Sequence, residues 1–116
     1  MALESAALAQ ALKMETEKKG PNQVVVRCSG RMVSDATPLL KSTIRPLIDE
    51  NKVVVLDLTN VNYLDSSGLG SIVGLWVTAK RNNCDLKLIH LSDRIKELLR
   101  LSNLTSLEGD QEYFGM

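Results

Sequence analysis

The chain has 116 residues, a length that suits one domain and leaves little room for a second. Fourteen Lys and Arg balance fourteen Asp and Glu, so no bulk charge draws the molecule to nucleic acid or an anionic membrane. Hydrophobic residues make up 44%, too many for a disordered chain; aromatics are 3%, which makes the core aliphatic and excludes the aromatic platforms of a single-strand nucleic-acid binder.

Residues 1–11 are Ala-rich with an acid at Glu4, and read as a helix-prone extension without the basic opening of a secretory signal. From Leu12 to Lys18, Leu12, Met14 and Thr16 alternate with Lys13, Glu15 and Glu17, the pattern of a half-buried strand. Lys19-Gly20-Pro21-Asn22 is a turn, and Val24 to Cys28 forms a second strand that ends at Gly30, which together predict a hairpin. Ser34 or Asp35 is suited to cap a helix carrying Leu39, Leu40, Ile44, Leu47 and Ile48 at helical spacing. Pro38 falls in its first turn, where a missing N–H costs nothing, whereas Pro46 should kink or shorten it near Arg45.

Val53 to Leu58 is nearly all apolar and predicts a strand buried on both faces, as in a parallel sheet. After the polar segment at 65–67, Leu69, Ile72, Val73, Trp76 and Val77 mark the apolar face of a second helix that ends at Arg81-Asn82-Asn83. Leu86 to Leu91 is a further strand. Ser92 or Asp93 caps a third helix that buries Ile95, Leu98, Leu99 and Leu101, and a short strand is expected at Ser106–Leu107. Strands alternating with helices give an α/β fold: a single domain over 12–108, with a mixed, mostly parallel sheet of four to five strands packed with helices, and a tail at 109–116.

Cys28 and Cys84 lie far apart and outside any CxxC, and read as structural thiols of a reducing compartment. With His90 the only histidine, a zinc site lacks ligands, and no cofactor is expected. No run approaches the ~18 apolar residues of a membrane helix, so neither membrane nor direct nucleic-acid contact is expected.

Chemistry concentrates where a strand gives way to a helix, at Tyr63-Leu64-Asp65-Ser66-Ser67-Gly68-Leu69-Gly70. Three N-cap residue types in succession precede two glycines at the carboxyl end of a strand, where open α/β sheets place their sites. Helix N-terminal N–H groups there favour an anion, bound or covalently attached. A capping cluster explains one polar residue but not three followed by glycines. A dinucleotide fingerprint fails because the glycines stand at 68, 70 and 74, and the Gly-Lys-Ser or Gly-Lys-Thr of a P-loop is absent. A nucleophile elbow needs Gly two places before its serine, where Leu64 and Asp65 stand. The chain is therefore not read as an enzyme.

In Val53 to Gly70, and above all in Asp65-Ser66-Ser67-Gly68-Leu69-Gly70, the sequence resembles the anti-sigma factor antagonist family, whose domain is shared with sulfate transporters and called STAS. Ser29-Gly30 and the Arg94–Leu101 segment before Asn103-Leu104 fit the same family, although Val33 stands where it commonly has an acid. The resemblance implies a protein that binds an anti-sigma factor which is also a serine/threonine kinase. It implies phosphorylation at Ser66, which switches the antagonist off, and a phosphatase that resets it, so that transcription is regulated through a sigma factor. Asp65, Ser66, Ser67 and Gly68 are the expected contact residues. On the second helix Leu75 lies off the apolar stripe with Gly70 and Gly74 as a flat strip beside it, which either packs on the sheet or joins Ser66 in one docking surface. A cytoplasmic monomer or weak dimer is expected. The alternative is a STAS adaptor module in a transporter or signalling complex that is not phosphorylated.

Overall fold

β-Branched runs lay down the sheet. The computed structural model describes residues 12–101. In it Lys13–Lys18 (β1) and Gln23–Met32 (β2) form the expected antiparallel hairpin. Val53–Leu64 (β3) pairs parallel with β2, and Asp85–Ile89 (β4) pairs parallel with β3, giving the order β1-β2-β3-β4. Thr37–Glu50 (α1), Ser66–Arg81 (α2) and Asp93–Leu101 (α3) complete the single mixed α/β domain. Four strands are present among the described residues. The helix-prone 1–11 extension, the strand at 106–107 and the 109–116 tail lie outside them.

One face of the sheet carries the main core. Val24, Val26, Val54, Leu56, Leu86 and Leu88 meet Leu40, Ile44 and Ile48 of α1, Ile72 and Leu75 of α2, and Ile95 and Leu99 of α3. Each such side chain taken fully out of water contributes about 1.5–3 kcal/mol. The opposite face buries Val25, Val55 and Ile89 with Val53 beside them, which is why β3 reads as apolar on both sides.

The structure corrects several sequence expectations. Neither Ser34 nor Asp35 caps α1; Ser34–Ala36 form a 3-10 turn, and the helix starts at Thr37 with Pro38 in its first turn. Pro46 does not shorten α1, which runs through to Glu50; Pro46 lies on the exposed side, while Ile44 and Ile48 hold the buried face. β3 continues past Leu58 to Leu64, beyond the last β4 pair at Asp57–Ile89. Leu101 is 66% exposed rather than buried in α3.

β2 follows β3 along this extension only by shifting register twice, between Arg27 and Ser29 and between Gly30 and Arg31. Gly30 sits in the left-handed region at φ +98°, which its missing Cβ permits. The irregular stretch places the Met32 backbone against the start of α2.

Candidate functional site

Three residues divide the work at the β3–α2 junction. Asp65 has extended backbone, and its Oδ1 accepts a hydrogen bond from the Gly68 N–H at 2.8 Å, making it the N-cap. The Leu69 N–H donates to the Asp65 carbonyl at 2.9 Å, closing the first helical turn. Capping is thus done by Asp65, which frees the two serines from that role. Ser66 and Ser67 open α2, and both are exposed. Among the described residues the Ser66 hydroxyl has no hydrogen-bond partner, while the Ser67 carbonyl accepts from Ser71 Oγ at 2.9 Å. Ser66 therefore presents an open hydroxyl at the positive end of a sixteen-residue helix.

The glycines separate into two kinds. Gly68 is buried against the Met32 carbonyl and Leu64, and leaves no room for a side chain. Gly70 and Gly74 are exposed, and a Cβ at either would meet nothing within 4 Å. They floor an open groove between the start of α1, at Thr37, Pro38 and Lys41, and the Ser67 side of α2. Ser71 Oγ, 3.1 Å from Thr37 Oγ1, ties the two helices together beneath it.

Leu75 does not belong to that strip. It is 2% exposed and packs in the core, because the buried face of α2 runs through Gly68, Ser71, Ile72, Leu75 and Ala79. Leu69, Val73 and Trp76 flank this face, and Val77 is 40% exposed. The true face is rotated from the one that large side chains alone suggest, since a helix lying close to its neighbours turns small residues inward. Lys41 and Thr37, which line the groove, carried no signal in the sequence. They become visible only when α1 is laid beside α2.

His90 is engaged elsewhere. Its Nδ1 lies 3.1 Å from Asp57 Oδ1 and 3.0 Å from Thr59 Oγ1, and it adopts φ +56° just after β4. The Thr59 N–H and hydroxyl both donate to the same Asp57 oxygen, so this carboxylate, 8% exposed, is satisfied within the fold. Both cysteines are free and buried, and burial pushes the Cys28 thiol up to about 12 and raises that of Cys84. Among the described residues no group of three or more His, Cys, Asp or Glu converges to hold a metal ion. No helix among them is long and apolar enough to cross a membrane.

Comparison with known proteins gives the family. The STAS domain family profile matches residues 13–111. The anti-sigma-B factor antagonist of Bacillus subtilis is 33% identical over 91 residues, which span 78% of this chain and 81% of that protein. Its counterpart in Listeria monocytogenes is 27% identical over 97 residues, 83% of this chain and 85% of that one. Among solved structures, the anti-sigma factor antagonist SpoIIAA in its unphosphorylated form superposes with a TM-score of 0.73 at 18% identity, over 87% of this chain and 91% of that chain. The phosphorylated form of Bacillus SpoIIAA gives 0.70, over 87% and 95%. The fold is that of STAS domains, and the relatives matched are regulatory proteins named as anti-sigma factor antagonists. The chain belongs to the STAS domain family, in its group of anti-sigma factor antagonists.

Proposed function

We propose that this protein binds a serine/threonine kinase that is also an anti-sigma factor, and that phosphorylation of Ser66 by that kinase switches the binding off. The observation that carries this reading is the division of labour at the α2 N-terminus: Asp65 supplies the cap, and Ser66 keeps an exposed hydroxyl without a partner among the described residues. A phosphate there adds about −1.5 to −2 charges at a position the helix dipole tolerates, so the domain itself need not refold. The cost falls on the complex, where the phosphate must be desolvated against a fitted surface. A hundredfold loss of affinity needs only ~2.8 kcal/mol.

The docking surface of this reading runs from Asp65, Ser66 and Ser67 along Gly70 and Gly74. Gly68 shapes it from beneath, and Leu75 supports it from the core. That the two exposed glycines serve no packing need inside the domain supports a partner approaching closely there. The domain acts in the cytoplasm as a monomer or weak dimer, and a phosphatase returns Ser66 to its free hydroxyl.

The test is to incubate the purified protein with its cognate kinase and ATP, locate phosphate by mass spectrometry, and measure kinase capture. Phosphate on Ser66, retained capture by Ser66→Ala and capture weakened by Ser66→Asp are expected. Equal capture by both variants would overturn the switch.

A further inference from the structure

Tyr63, at the end of β3 and three residues before Ser66, has two guanidinium groups gathered around its ring. That of Arg31 lies 5.0 Å from the ring centroid and that of Arg94 lies 5.9 Å from it. All three side chains are exposed, and Tyr63 is 40% exposed. Arg31 comes from β2, directly paired with Tyr63, and Arg94 from the first turn of α3.

This arrangement lacks the carboxylate partners that several other cations of the domain have. Arg27 pairs with Glu17, Arg100 with Glu97 and Lys80 with Asp85, but among the described residues neither Arg31 nor Arg94 has a carboxylate within salt-bridge distance. Two like charges therefore converge on one ring, held by attraction to its face and without a counter-ion. Arg94 also occupies a helix N-terminus, where the helix dipole disfavours a cation.

We infer that Arg31 and Arg94, gathered around Tyr63 three residues before Ser66 in the chain, anchor an acidic segment of the partner kinase; this rests on the function proposed above. A planar guanidinium matches a carboxylate through two parallel hydrogen bonds. The strip crosses β2, β3 and α3, and adjacent strands alone lie about 4.8 Å apart. It therefore suits several carboxylates on a chain better than one small anion. Such an anchor would steer the kinase onto the end of the sheet that carries its acceptor.

Amide NMR titration with a hexaglutamate peptide tests the anchor without the kinase. Saturable shifts at Arg31, Tyr63 and Arg94 are expected, absent from the double variant Arg31→Gln/Arg94→Gln. Inorganic phosphate at matched ionic strength should leave those signals in place. Phosphate acting as strongly as the peptide, or an undiminished response in the double variant, would overturn the anchor. With the kinase that modifies Ser66, the double variant should raise KM about tenfold while kcat stays within about twofold, and should flatten the salt dependence of binding. Lys80→Gln/Arg81→Gln, at the far end of α2, should change neither. Unchanged KM and salt dependence in the Arg variant would sink the anchor while leaving the switch standing. Absence of phosphate on wild-type Ser66 would remove the switch and this partner together.

Discussion

Gly68 and the Met32 carbonyl are packed so closely that a single methyl group on Gly68 would overlap the oxygen. The same methyl would come 2.8 Å from Leu64 Cδ1. Neither neighbour can easily give: one is backbone and the other is wedged in the core at 5% exposure. Gly68→Ala should therefore destabilise the domain by about 1–3 kcal/mol, the usual cost of overpacking. Urea unfolding measures it, and a midpoint equal to wild type would show that the close approach is not needed.

The Asp65 cap makes a second prediction about the same turn. Asp65→Ala removes the acceptor for the Gly68 N–H and should cost ~1 kcal/mol, whereas Asp65→Asn keeps an oxygen there and should cost only a few tenths. If Ser66 is read by a kinase through the geometry of this turn, phosphorylation should slow more in the alanine variant than in the asparagine variant. Thermal unfolding and initial phosphorylation rates, measured side by side, separate the two effects.

Gly70 and Gly74 should behave in the opposite sense to Gly68. Both lie inside α2, where Gly is about 0.8–1 kcal/mol less favourable than Ala, and a Cβ at either meets only open space. Gly70→Ala and Gly74→Ala should each raise the melting temperature. If a partner rests on this floor, the same changes should weaken kinase binding at least about tenfold, or ~1.4 kcal/mol. Stabilisation with unaltered affinity would remove these residues from the docking surface.

The contrast between these glycines marks what the sequence could show. The motif at 65–70 was legible because N-cap residue types and glycines cluster visibly between a buried strand and a helix. Which glycine serves packing and which serves the surface was not, since that depends on where the Met32 carbonyl lies after two register shifts in β2. The end of β3 was hidden for a related reason. Thr59, Asn60, Asn62 and Tyr63 are exposed because β4 no longer pairs beside them, so the apolar run breaks while the strand continues. Leu75 was misplaced because Ser71, Ala79 and Gly68 share its buried face and carry little hydrophobic signal.

Cys28 supplies a pH prediction. Its side chain is 2% exposed in the main core, and burial, aided by the nearby negative charge of Asp57, raises its thiol from the ordinary value near 9 to about 12. In that interval the folded thiol holds its proton while the unfolded chain releases it. The unfolded state then binds fewer protons, so stability falls as pH rises, by up to about 1.4 kcal/mol per pH unit. Cys84, raised for the same first reason, adds in the same direction. Urea midpoints measured from about pH 8 to about pH 10.5 should therefore decline. In Cys28→Ala the cavity lowers the midpoint at every pH, but the decline should be shallower, because one proton-linked group has gone. Identical slopes in the two proteins would mean that the Cys28 thiol is not held protonated by the fold.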